Sequence, residues 1–126
     1  MQRIAVVGAG LIGSAWAMVF ARAGHPVRIW DPAAGASEAA MGVVRARLAD
    51  LHAAGLISET ADVVAARVAV AATLEECLDG AAHVQENGPE RVEVKRETFA
   101  RLDALCGPEV VLASSTSGIP ASAFTE

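Results

Sequence analysis

The chain has 126 residues, of which 53% are apolar and 20% charged, and its formal net charge is −5. This composition suits one soluble globular domain and argues against a disordered chain. An acidic balance without a basic run argues against nucleic acid or an anionic membrane as a partner. No stretch approaches the ~18 apolar residues that a membrane span needs, and no signal-peptide pattern is present, so we expect a cytoplasmic protein. Cys77 and Cys106 lack metal-ligand spacing, which favours buried free thiols.

Short apolar runs alternate with longer helical stretches along the chain. The predicted strands are, in chain order, Ile4–Val7, Val27–Trp30, Val68–Ala71, Ala82–Glu86 and Glu109–Ala113. The predicted helices are Leu11–Ala23, one capped by Ser37 and running to about Ala54, Glu59–Ala66, one opened by a capping box at Thr73 and ending near Gly80, and one that starts at Pro89. Continuously apolar strands between helices predict a parallel sheet that is covered on both faces.

Residues 8–13 carry the pattern Gly-x-Gly-x-x-Gly directly after the first predicted strand. In such a loop Gly8 permits a tight turn, Gly10 lets the backbone approach a pyrophosphate, and Gly13 lets the helix pack closely on the strand. The free amides of the following helix attract negative charge. The sequence therefore predicts an α/β, Rossmann-type doubly wound parallel sheet with a helical excursion after the second strand. The predicted cofactor-binding loop comprises Gly8, Ala9, Gly10, Leu11, Ile12 and Gly13.

Asp31 ends the second predicted strand, eighteen residues after Gly13. A carboxylate that accepts both ribose hydroxyls occupies the place that the 2′-phosphate of NADP requires. Two like charges about 4 Å apart at an effective dielectric near 20 repel by roughly 4 kcal/mol, on the order of a thousandfold in affinity. NAD is therefore the expected cofactor. FAD-binding versions of the fold also use an acid here, so Asp31 excludes NADP better than FAD, and an Asp-Pro turn is the structural alternative.

Hydroxyl groups cluster at Ser114, Ser115, Thr116 and Ser117, after the fifth predicted strand. The carboxyl edge of an open α/β sheet is where ligands bind, so this loop could hydrogen-bond a nicotinamide ribose or a substrate hydroxyl. A plain serine-rich turn is the alternative.

Three charged residues, Glu86, Glu90 and Lys95, flank the end of the fourth predicted strand, either as site residues or as solvated surface charges. His25, His52 and His83 share no metal-ligand spacing and none lies beside a carboxylate cluster, so the sequence shows no evident general base.

The chain resembles the N-terminal part of the L-3-hydroxyacyl-CoA dehydrogenase superfamily, and within it the lambda-crystallin and L-gulonate 3-dehydrogenase branch. The resemblance spans nearly the whole chain. Its most specific stretches are residues 8–20, GAGLIGSAWAMVF, and residues 80–86, GAAHVQE, leading through Pro89 and Glu90 to the serine loop. It implies that the glycine loop and Asp31 hold NAD, that Glu90 and Lys95 line the nicotinamide side, and that Ser117 touches substrate or cofactor.

The resemblance also implies catalytic groups that this sequence does not show. In a typical member a His held by a Glu, and a nearby Asn, follow the serine loop, and a last strand and a helical, dimerising domain come after them. Residues 1–126 are thus expected to form an NAD-binding domain that is incomplete at its C-terminal end and inactive alone, and the full-length protein is expected to be a homodimer.

The resemblance and the glycine loop together imply oxidation of a 3-hydroxyl group to a 3-ketone with NAD⁺ as the hydride acceptor. The leading hypothesis is a 3-hydroxyacyl-CoA dehydrogenase-type oxidoreductase. The helical excursion carries Arg45 and Arg47 in place of the lysine pattern expected for CoA, which weakens the acyl-CoA assignment against a small hydroxy acid such as gulonate. L-gulonate 3-dehydrogenase, or a related small hydroxy-acid dehydrogenase, is therefore the alternative within the family. A non-catalytic NAD-binding or crystallin-like protein is the alternative from another class. An FAD-linked or hydroxyisobutyrate-type dehydrogenase is a third.

Overall fold

The computed structural model of the chain describes residues 2–87, 92–107 and 109–114, with the backbone alone described for 92–95. The strands are β1 (Arg3–Val7), β2 (Val27–Trp30), β3 (Val68–Val70), β4 (Ala81–Glu86) and β5 (Val111–Ser114). The helices are α1 (Leu11–Arg22), α2 (Ala36–Ala53), α3 (Ala61–Ala65), α4 (Leu74–Leu78) and α5 (Val92–Leu105). In the described ranges, no helix combines the length and apolarity needed to cross a lipid bilayer.

The five strands form one parallel sheet in the order β3-β2-β1-β4-β5. The order reverses at β1, because β2 lies on one side of it and β4 on the other. Val7, the last residue of β1, pairs with Trp30 on β2 and with Glu86 on β4, and Glu86 pairs in turn with Ser114 on β5. The carboxyl ends of four strands therefore meet at the switch point where this fold class holds its ligands.

Alternate residues of β1 enter two separate cores, one on each face of the sheet. Ile4 and Val6 pack with α1, α2 and α3, in a cluster where Val44 and Leu48 are fully buried. Ala5 and Val7 face the other side, together with side chains of α4 and α5. The prediction of a doubly covered parallel sheet is confirmed.

The predicted elements are all present, with ends that shift by a few residues. Gly24 and Gly55, expected at helix ends, have positive φ angles of 97° and 74°. The Thr73 hydroxyl caps α4 by accepting a hydrogen bond from the amide of Glu76 at 3.1 Å. The prediction that Pro89 starts α5 falls on a residue outside the described ranges.

The predicted N-cap of α2 is wrong. Gly35, with φ 78°, occupies that position, and no side chain caps the helix. Ser37 lies inside the first turn and is only 5% exposed. The left-handed conformation of Gly35 turns the chain into the helix two residues earlier than the serine would, because glycine adopts that conformation without steric cost.

Candidate functional site

The glycine loop joins β1 to α1 at the switch point. Gly8 has φ 100°, and its amide donates to the carbonyl of Trp30 at 2.8 Å, which ties the start of the loop to β2. A Cβ on Gly13 would lie 1.9 Å from the carbonyl oxygen of Gly8, whereas a Cβ on Gly10 would have no atom within 4 Å. Gly13 thus permits close packing of helix on loop, and Gly10 leaves open space beside the backbone, as the pattern predicts.

The N-terminus of α1 opens onto this space without a side-chain cap. The first amide bonded within the helix is that of Ser14, which donates to the carbonyl of Gly10 at 2.9 Å. The amides of Leu11, Ile12 and Gly13 therefore have no partner within the helix. Three amides at the positive end of a helix suit a phosphate group.

Asp31 lies just beyond β2, and its carboxylate holds the glycine loop through a hydrogen bond. One carboxylate oxygen, Oδ2, accepts a hydrogen bond from the amide of Ala9 at 2.7 Å, and Oδ1 accepts one from the amide of Ala33 at 2.8 Å. Each carboxylate oxygen has a second lone pair, so the side chain retains acceptors for ribose hydroxyls. The sequence suggested the ribose role but gave no sign that Asp31 also fixes the loop, because that contact joins residues 22 positions apart.

An open cleft of about 330 Å³ begins at Asp31. Its floor and sides come from the residues after β2, from the first turn of α2 and from the residues after β3. The lining residues are Trp30, Asp31, Pro32, Ala33, Ala34, Gly35, Ser37, Glu38, Ala71 and Ala72. Its position beyond the ends of β2 and β3 is where an adenosine group would lie if its ribose met Asp31.

On the other side of the switch point, the end of β4 brings a buried carboxylate beside β5. Glu86 is 1% exposed, and its Oε1 accepts a hydrogen bond from the Ser114 hydroxyl at 3.0 Å. The amide of Asn87 donates to the carbonyl of Val7 at 2.8 Å, and its side-chain nitrogen would lie 3.5 Å from a Cβ on Gly13.

Sequence reasoning missed that Glu86 is buried and that the side chain of Asn87 lies beside Gly13 of the glycine loop. The signal was the position of Glu86 in an inner strand of a sheet that is covered on both faces, where most side chains are enclosed. The Ser114 contact places the first member of the serine cluster at this site.

Three of the predicted site residues, Glu90, Lys95 and Ser117, cannot be placed in this way. Glu90 and Ser117, like Ser115 and Thr116, lie outside the described residues, and the side chain of Lys95 does too. Their predicted roles stay predictions.

His83 and His25 contact neighbouring side chains or backbone of the fold. His83 lies with its ring centroid 5.4 Å from that of Phe20, and its Nε2 is 3.1 Å from Oε1 of Gln85. Nδ1 of His25 is 3.2 Å from the carbonyl oxygen of Gln2. Within the part of the chain that the structure describes, no three His, Cys, Asp or Glu side chains are grouped to hold a metal ion.

The cysteines are free thiols, Cys77 buried and Cys106 half-buried. Burial raises the pKa of the Cys77 thiol to about 12, and burial and the nearby Asp103 raise the pKa of Cys106. Cys77 is therefore a core thiol and not a nucleophile.

Known proteins of one family match nearly the whole chain. Residues 3–126 match the family described as 3-hydroxyacyl-CoA dehydrogenase, NAD binding domain. The chain belongs to this family. The match covers every element of the sheet, the glycine loop and Asp31, so the family's cofactor, NAD, is also that of this domain.

Relatives and solved structures agree with the family. The chain is 43% identical to an L-carnitine dehydrogenase of Streptomyces coelicolor, over 95% of this chain and 37% of that protein, and 34% identical to the lambda-crystallin of Oryctolagus cuniculus, over 97% and 39%. Its fold matches a 3-hydroxybutyryl-CoA dehydrogenase from Escherichia coli with a TM-score of 0.90 and 34% identity, over 98% of this chain and 26% of that one. The chain spans less than two-fifths of the length of these curated relatives.

The geometry fits the cofactor. The open space at Gly10 and the unpaired helix amides suit the pyrophosphate, and Asp31 stands between that point and a cleft of a size that suits adenosine. The resemblance to this superfamily and its lambda-crystallin branch, read from residues 8–20 and 80–86, is confirmed.

Proposed function

We propose that the chain is the cofactor-binding part of an NAD-dependent dehydrogenase that oxidises a 3-hydroxyl group of a small-molecule substrate to a 3-ketone. The observation that supports this best is the glycine loop fixed by Asp31, in which Gly13 is sterically required and Gly10 is open. The family and the dehydrogenases among the relatives support the same reaction class.

Two groups of this chain would bind and orient the pyrophosphate and the adenosine ribose. The amides of Leu11, Ile12 and Gly13 donate to the pyrophosphate, and the remaining lone pairs of Asp31 accept from the adenosine ribose. Bound NAD⁺ would supply the acceptor for the hydride from the carbon that bears the hydroxyl group, and a general base would take the hydroxyl proton.

The nicotinamide side belongs to the other half of the site. We assign it to the carboxyl ends of β4 and β5, with Glu90 and Lys95 on the nicotinamide side and Ser117 touching substrate or cofactor. The hydrogen bond between the buried Glu86 and the half-buried Ser114 would hold the ends of these two strands together and so position the serine loop.

Two substrate classes fit the proposal. A 3-hydroxyacyl-CoA would place the protein in fatty-acid metabolism, in line with the relatives named for that reaction. A small 3-hydroxy acid is favoured by the 43% identity to an enzyme named for L-carnitine, itself a small 3-hydroxy carboxylate, and by exposed arginines, Arg45 and Arg47, in place of a lysine pattern on α2. Steady-state turnover of the full-length protein with L-carnitine, L-gulonate and 3-hydroxybutyryl-CoA separates the two.

The assembly and location of the whole protein complete the proposal. We infer a cytoplasmic homodimer with no nucleic-acid or membrane partner, on the acidic composition and the resemblance. Light scattering of the full-length protein tests the dimer.

Calorimetric titration with NADH and NADPH tests cofactor binding. We expect NADH to bind more tightly by on the order of a thousandfold, from the charge repulsion at Asp31. Asp31→Ala should narrow that gap and also weaken NADH, because the variant loses the contact with Ala9. Equal affinities for the two cofactors in the unmodified protein would rule out the assigned role of Asp31.

A further inference from the structure

The first turn of α2 carries a second acidic residue at the adenosine cleft. Glu38 lines the same cleft as Asp31 and is the acidic residue of that turn. Among the described residues that line the cleft, these two are the charged ones, and neither Lys nor Arg is present. The negative charge of the cleft thus comes from two different elements.

Without the Glu38 carboxylate, the N-terminus of α2 would attract an anion. α2 has 18 residues and no side-chain cap, so its first turn presents amides and a partial positive charge. A 2′-phosphate entering the cleft would gain from that charge. Asp31 opposes the phosphate, but both of its oxygens already accept backbone hydrogen bonds, which compensate part of its charge.

We propose that Glu38 is a second determinant of specificity for NAD over NADP. Its carboxylate offsets the positive end of α2 and repels a 2′-phosphate, whereas the neutral 2′-hydroxyl of NAD meets neither effect. The inference rests on the proposed placement of adenosine in this cleft. It assigns a function to Glu38, which lies on a different element from the glycine loop and from Asp31.

The experiment measures the affinities of NADH and NADPH for the unmodified protein, Glu38→Gln and Glu38→Lys. Quenching of tryptophan fluorescence reports binding of both cofactors, since Trp30 lines the cleft that takes the adenosine. At low ionic strength we expect Glu38→Gln to raise NADPH affinity about fivefold and Glu38→Lys about 20-fold. NADH affinity should change less than about twofold. Both gains should shrink at about 0.5 M salt, where the Debye length is ~4 Å.

Asp50→Asn is the matched control, because it removes the same charge from an exposed position near the other end of α2. It lies about 18 Å further along the helix, and it should leave both affinities unchanged. A second measurement, displacement of NADH by AMP and by adenosine 2′,5′-bisphosphate, reads the cleft alone, and Glu38→Gln should strengthen only the bisphosphate.

Three results would overturn the proposal: a change in the NADH-to-NADPH ratio below about 1.5-fold in both Glu38 variants, an equal gain for NADH, or an equal effect of Asp50→Asn. Failure of the unmodified protein to bind NADH at all would instead refute the proposed function, so the two failures are distinguishable. Circular dichroism of each variant verifies that α2 remains helical.

Discussion

Alanine substitutions at Gly10 and Gly13 should affect different properties of the domain. Gly13→Ala should lower its stability, and Gly10→Ala should weaken cofactor binding. An alanine Cβ at Gly13 would lie 1.9 Å from the carbonyl oxygen of Gly8, where about 3.0 Å is the closest approach that real Cβ atoms show. The start of α1 must therefore move by about 1.1 Å against a fully packed sheet. At Gly10, whose φ of −72° any residue can adopt, an added Cβ meets nothing.

The expected magnitudes follow from these distances. Overpacking of this size in a rigid region costs about 3 kcal/mol. With an unfolding entropy of about 2.1 cal/mol/K per residue, a 126-residue chain loses about 11 °C of Tm for that cost. Gly10→Ala should change the free energy of unfolding by less than about 1 kcal/mol and Tm by less than ~4 °C.

Cofactor affinity should show the opposite ranking. A methyl group at Gly10 stands where the pyrophosphate must approach the amides of α1, and loss of one charge-assisted hydrogen bond lowers affinity by about 30-fold. Thermal melts followed by circular dichroism, and NADH titrations at a temperature where both variants are folded, measure the two quantities. If Gly13→Ala melts like the unmodified protein, or Gly10→Ala binds NADH as tightly, the reasoning from the loop geometry is refuted.

Two further predictions concern a thiol and a helix cap. Because burial holds the Cys77 pKa at about 12 in the folded state while the unfolded thiol ionises near pH 8.5 to 9, stability should fall by about 1.4 kcal/mol per pH unit from pH 9 towards 12. Tyrosine is absent and Lys95 is the only lysine, so the other thiol, Cys106, is the main further group with a raised pKa that titrates there. Denaturant unfolding at pH 8 and 10 should show the loss, and Cys77→Ala should reduce it. Thr73→Ala should cost about 1 kcal/mol, or ~4 °C of Tm, by removing the cap of α4. Thr60→Ala, which removes a longer bond of 3.4 Å, should cost less, and an equal or larger loss there would contradict the cap argument.

Features that depend on local chemistry could be predicted from the sequence. The strands, the glycine loop and the left-handed Gly24 each follow from a few neighbouring residues, and each is present. The family resemblance also rested on local runs, and the family match confirms it.

Features that depend on contacts between distant residues could not be predicted in this way. Asp31 bonds to Ala9 across 22 positions, and Ser114 bonds to Glu86 across 28, so neither pairing has a local pattern. The start of α2 was mispredicted for a different reason. Ser37 has the chemistry of an N-cap, but the conformation of Gly35 ends the preceding turn first.

On the proposed role of Asp31, the hydrogen bond that its carboxylate accepts from the Ala9 amide makes both cofactor preference and the order of the glycine loop depend on one side chain. Replacing Asp31 to admit NADP would also release the glycine loop, so the affinity for both cofactors would fall. That fall would mask any gain in affinity for NADP. Changes at Glu38, on a different element, would alter the electrostatics of the cleft while the loop stays fastened. Cofactor preference could therefore be redesigned in two steps, with Glu38 replaced first and Asp31 second, and the protein would still bind cofactor after the first step.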